Sequence, residues 1–119
     1  MEEAELAEVL ARLVEAGALD DGRFARRFAE DKRQLRGWGP ERIAEALRAR
    51  GVEEAAVAAA VGAESGEEIV IRAVGVLAES GAEPLDERSR ARALALLARR
   101  GYPLEVAYDA VSEFERSYG

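Results

Sequence analysis

Arginine is the residue type in this chain whose number and spacing bear most on chemistry. Of 17 basic residues all but Lys32 are arginines, set against 24 acidic ones for a net charge of −7. A guanidinium presents a planar fork of donors that matches phosphate or carboxylate. The charges are segregated. Residues 1–19 carry five Glu against Arg12, and residues 51–87 carry nine acids against Arg72. Residues 20–50 hold nine bases against six acids, and residues 88–119 hold six arginines against four acids. An acidic total therefore does not by itself exclude a polyanionic partner. A GC-rich coding bias would favour arginine with no functional meaning, and that reading stays open.

At 100° per residue on a helix, Arg26, Arg33 and Arg36 lie opposite an apolar stripe of Phe24, Phe28 and Leu35. Such a face can grip phosphates or a partner's carboxylates. The plainer alternative is a solvated face with intrahelical pairs such as Arg26–Glu30 and Arg27–Asp31. Arg88, Arg92 and Arg99 repeat the arrangement later, and two such faces point to a continuous groove. Lys32 and Arg42 flank the first face and join the candidate binding set. Trp38, the only tryptophan, sits between Gly37 and Gly39. It is either an exposed anchor for a partner or for a base or, more commonly in such a setting, a ring folded onto the neighbouring helix as a turn lock.

Other chemistries lack their residues. There is no Cys and no His, which removes disulfides, thiolate nucleophiles, and the commonest general base and metal ligand. Asp20-Asp21 reads as a helix N-cap rather than a metal pair. Gly37-x-Gly39 lacks the strand, third Gly and following Lys of a phosphate loop. No catalytic residue, cofactor, metal or small-molecule substrate is expected, so the chain is not read as an enzyme. No apolar run approaches a membrane span, and MEEAELAEVL is not signal-like, so the expected compartment is the cytoplasm.

The elements that would position these residues are helical throughout. The pattern predicts seven helices and no strand, at about 3–16, 21–36, 40–50, 53–62, 66–80, 86–100 and 103 onward. Gly17 is expected to end the first, Asp20 or Asp21 to cap the second, and Pro40 to open the third. Ser65 with Glu68 forms a capping pair, and Gly81 with Pro84 separates the fifth helix from the sixth. A repeat appears at an offset of fifty. Arg42 aligns with Arg92, Leu47 with Leu97, Arg50-Gly51 with Arg100-Gly101, and Ala60-Val61 with Ala110-Val111. The expected fold is all-α, an elongated array of three-helix repeats. Residues 1–18 are read as the last helix of an incomplete N-terminal repeat, 19–62 as one repeat and 63–119 as the next.

These motifs carry a resemblance. Leu13, Gly17, Leu19-Asp20-Asp21, Arg23-Phe24-Ala25, then Gly37, Gly39, Arg42-Ile43, Leu47 and Gly51, and later Leu96 to Tyr102, strongly resemble the RecX family of recombination regulators. The resemblance covers nearly the whole chain. It implies an all-helical protein of three-helix repeats that binds the RecA recombinase filament and modulates it, usually by inhibition, in DNA repair and the SOS response. Some members bind DNA, which makes single- or double-stranded DNA a second implied partner. Family members usually carry a further N-terminal segment, completing a repeat ahead of the helix that matches Glu3–Ala16, and the resemblance implies a basic N-terminus where this one is acidic. Two other readings are kept beside this one: a sequence-independent DNA-binding helical module, and a helical scaffold whose charges serve solubility.

Overall fold

The computed structural model describes residues 2–82 and 86–118; Pro84, read as a separator, lies outside them. Six helices occupy this span: α1 (Glu3–Arg36), α2 (Pro40–Ala49), α3 (Glu54–Val61), α4 (Gly66–Glu79), α5 (Glu87–Arg100) and α6 (Leu104–Tyr118). No strand occurs among the described residues.

The expected break at Gly17 is absent, and this corrects the count from seven helices to six. Gly17 has no left-handed backbone and lies inside α1. A mid-helix glycine costs only about 1 kcal/mol, and the helix formers on both sides of it outweigh that. Asp21 is consequently not the cap of a new helix. Its carboxylate accepts the Glu53 backbone N–H at 3.3 Å, supporting the start of α3 from the side. Where punctuation does end a helix, the closure repeats between units. Gly51 and Gly101 both have positive φ, 79° and 94°. In each case the next residue's N–H returns five residues, Val52 to Leu47 O at 3.2 Å and Tyr102 to Leu97 O at 3.0 Å. Ser65 caps α4 by accepting the Glu68 N–H at 3.1 Å, as the pairing predicts, and it is its hydroxyl rather than its backbone N–H that donates to the Glu68 carboxylate.

Two hydrophobic clusters result. The first joins Ala25, Phe28 and Ala29 of α1 to Ile43, Ala44 and Leu47 of α2 and to Val57 and Ala60 of α3. The second joins Ala73, Val76 and Leu77 of α4 to Leu97 of α5 and to a row on α6 ending at Phe114, with Tyr102 beneath. The stripe expected on α1 is corrected here. Phe24 is 44% exposed and Leu35 78%. The buried face is turned by roughly 70° from the phenylalanine stripe, at 100° per residue, because α1 meets alanine-rich α3 through its own small residues. That rotation carries Arg33 inward.

The first half of α1 packs on nothing within the described chain. Residues 2–20 are exposed throughout, including Leu6, Leu10, Leu13 and Val14. The molecule measures 71 × 22 × 20 Å, with a radius of gyration of 19.1 Å. A compact chain of this length would have about 13–14 Å. No helix among the described residues is long and apolar enough to cross a membrane.

Candidate partner and nucleic-acid interface

The site is built where the turn after α1 meets the turn after α5. Gly37-Trp38-Gly39 lies against Arg100-Gly101-Tyr102, main chain to main chain. Gly39 N–H donates to Arg100 O at 2.7 Å and Glu41 N–H to Gly101 O at 3.0 Å. The free donors that open α2 are thereby satisfied by the free carbonyls that close α5. Tyr102 Oη donates to Gly37 O at 2.7 Å. At the two glycines the approach leaves no room for a β-carbon. A Cβ on Gly39 would fall 2.8 Å from Tyr102 Cγ, and one on Gly101 would fall 2.9 Å from Arg42 Cα.

Around this seam the basic residues separate by role. Arg33, placed by the sequence on an outward face, instead points inward. Its Nη2 donates to Ala60 O at 2.8 Å, and its Nε lies 2.8 Å from Glu64 Oε1, an ion-pair contact without hydrogen-bond alignment. Glu64 also takes Arg72, whose Nη2 donates at 3.0 Å and whose Nη1 makes a second, close contact. All three side chains are at most 15% exposed, so one carboxylate serves two guanidiniums in a largely dry setting. Arg72 Nε further donates to Trp38 O at 3.1 Å. Burial works against the Arg72 charge, but the hydrogen bond and attraction of Glu64 prevail and its pKa is raised. Burial also pushes the Tyr102 phenol above its ordinary value, against the opposing pull of Arg72.

Trp38 acts as a turn lock and as a platform. Its ring meets Phe28 edge-on at 6.3 Å, half-buried against the first cluster. Lys32 Nζ lies 4.9 Å from the ring centroid and Arg42 Cζ 4.3 Å. Arg42 Nη1 donates to Arg99 O at 3.2 Å, and Arg100 Nη1 donates to Arg36 O at 3.0 Å. Arg33, Arg36, Trp38 and Arg42 are thus brought together, with Arg72, Arg100 and Glu79, around a cleft of about 550 Å³ between the units.

Sequence reasoning missed Arg72 and Arg100. Arg72 stood alone in an acidic stretch. Arg100 belonged to the repeated Arg-Gly pair, which was read only as a helix ending. Arg26 is exposed on α1 and makes no ion pair among the described residues; the intrahelical pairs Arg26–Glu30 and Arg27–Asp31 do not form. Arg92 and Arg99 line a second cleft of about 490 Å³ with Ser80 and Ser89, while exposed Arg88 lies outside that lining. The single continuous groove expected from the sequence is replaced by two clefts, which approach each other where Arg42 reaches the Arg99 carbonyl.

Comparison with known proteins adds the family. Residues 20–61 match the model described as RecX, second three-helix domain. The chain is 38% identical over 109 residues to the regulatory protein RecX of Thermobifida fusca, covering 88% of this chain and 58% of that protein. It is 31% identical over 113 residues to that of Mycolicibacterium smegmatis, covering 89% and 60%. To that of Pseudomonas savastanoi pv. phaseolicola it is 37% identical over 108 residues, covering 82% and 63%. The chain thus spans about three-fifths of the length of these relatives. No solved structure matches. The family model falls on the first cluster and its closing turns, and the alignments run on through the second, so the chain belongs to the RecX family.

Proposed function

We propose that this chain is a regulator that acts by binding the RecA–DNA filament in the cytoplasm, lowering recombinase and ATPase activity, and that it does so without catalysis of its own. The observation that carries the reading is an acidic, 71 Å array of two units, each of which presents exposed arginines near their junction. In this reading Arg26, Lys32, Arg36, Trp38 and Arg42 form one contact region and Arg88, Arg92 and Arg99 the other. Arg33 contributes by holding the junction. An array with two separated basic regions bridges neighbouring sites on a repeated surface, and bridging converts two weak contacts into one strong one. Residues 19–62 and 63–119 are the two bridging repeats, and the start of α1 projects from the first of them.

The test is recombinase ATP turnover on single-stranded DNA with increasing amounts of this chain, beside labelled-chain titrations against free RecA, free DNA and assembled filament at one salt concentration. Turnover should fall, and affinity should be highest for the filament. Unchanged turnover together with equal affinity for bare DNA and filament would replace this reading with that of a plain DNA-binding module.

A further inference from the structure

We propose that the exposed start of α1 is a self-association surface, on which a second copy of this chain docks antiparallel through the same segment. The proposal goes beyond the filament-binding reading and does not depend on it.

Leu6, Val9, Leu10, Leu13 and Val14 are all exposed, and Phe24 is half-exposed further along the same helix. At 100° per residue the first five span about 140° of the helix surface, and Phe24 falls in line with Leu6. An apolar stripe of that width is what a helix buries against a neighbour. Glu8, Arg12 and Glu15 fall behind it, where Arg12 and Glu8 pair with each other at 3.1 Å. The way along the helix is clear. α2 and α3 pack on α1 through Ala25, Phe28 and Ala29, while Arg23, Phe24 and Arg27 stay exposed.

Charge decides which neighbour fits. Glu2 and Glu5 lie on one flank of the stripe, at roughly 40° and 100° from Leu6, and Arg23 and Arg27 lie on that same flank at roughly 100° and 60°. None of the four makes an ion pair among the described residues. In a two-fold antiparallel pair of helices, equal flanks face each other. Centring the pair near Val14 sets Glu5 opposite Arg23 and Glu2 opposite Arg27, and the symmetry forms each contact twice. These ion pairs border a seam of about 39 Å at 1.5 Å per residue, into which each copy places the six apolar side chains. The chain thus carries its own complement, whereas a parallel pair aligns acid with acid and base with base. A lipid surface is the poorer occupant. A helix lying on a membrane carries Lys and Arg on its polar face, and here that face holds Glu8 and Glu15. Antiparallel docking also sends the packed units of the two copies to opposite ends, so the 71 Å molecules meet only along α1.

The experiment measures the mass of the full chain by sedimentation equilibrium across a concentration series. Mass should rise from one chain to two with a midpoint in the micromolar range and go no further, since a two-fold seam closes on itself. Below that range the chain is single and keeps its radius of gyration of 19.1 Å. Leu10→Glu should hold the chain single at every concentration. It should leave unfolding of the first unit, followed through Trp38, as in the parent, because Leu10 is on the projecting part of α1. Arg23→Glu alone and Glu5→Arg alone should each weaken the pair roughly tenfold. The two together should return it to near the parent, which loose apolar clustering does not do.

A single mass throughout, growth beyond two chains, parent-like pairing of Leu10→Glu, or a double swap no tighter than either single variant would each overturn the surface.

Discussion

Glu64 sits in the loop before α4 and receives Arg33 from α1 and Arg72 from α4, so one carboxylate ties the two units together. Its removal leaves two mostly buried guanidiniums facing each other. Glu64→Ala should therefore cost roughly 3 kcal/mol, the lower end for breaking a buried pair, read as a fall in denaturant midpoint. A parent-like midpoint would mean that water takes the place of the carboxylate. Tyr102 gives a second residue-scale outcome. Tyr102→Phe removes the hydrogen bond to Gly37 O and should cost about 0.5–1.5 kcal/mol. The pH dependence follows from the raised phenol pKa. The unfolded chain ionises first as pH passes about 10, so the stability held by the neutral phenol is full below that value and is lost as pH rises through the folded pKa. Melting temperature should drop above about pH 10 in the parent and less in Tyr102→Phe. Arg33 was legible as a cation but not as a buried one, because its partner lies 31 positions away in a loop that no helical periodicity connects to it.

At the scale of elements, periodicity located α2 to α6 well, since Pro40, Ser65 and Asp86 open helices with local chemistry that the residues themselves declare. It divided α1 wrongly, because a glycine that ends a helix and a glycine that a helix tolerates look alike until the backbone sign is known. The two kinds respond oppositely to alanine. Gly17 has ordinary helical backbone and nothing within 4 Å of an added Cβ, so Gly17→Ala should stabilise by about 0.5–1 kcal/mol. Gly101 has φ of 94° and backbone against it, so Gly101→Ala should destabilise and loosen the contact with α2. Thermal melts of both variants check this, and a destabilised Gly17→Ala would restore the two-helix reading.

At the scale of the molecule, the offset-fifty repeat foretold paired closing turns, and the structure has them at Gly51 and Gly101. How the units meet was not legible. The innermost bonds of the contact join main-chain atoms at Gly39, Glu41, Arg100 and Gly101, which leave no side-chain signature beyond the glycines, and the side chains that reinforce them come from distant positions. The candidate cleft was legible by half for the same reason: Arg36, Trp38 and Arg42 are neighbours in sequence, whereas Arg72 and Arg100 arrive only through that contact. Small-angle scattering should return a radius of gyration near 19 Å, allowing for hydration, rather than the roughly 13–14 Å of a compact chain. A value near the compact figure would mean that the start of α1 folds back onto the units.

The glycine seam also bears on how such a protein can change over generations. Its main-chain hydrogen bonds use atoms that every residue but proline possesses, and the side chains of Tyr102, Arg42, Arg72 and Arg100 add bonds of their own across it. A cleft residue whose side chain takes no part in those bonds, such as exposed Arg36, is therefore free to be exchanged while the spacing between units is kept. Gly39 and Gly101 are the exception, because the smallest addition to either already collides with the opposite chain. Variation there is all-or-none, and variation around it is gradual, which lets the surface adapt to a new partner without rebuilding the scaffold that presents it.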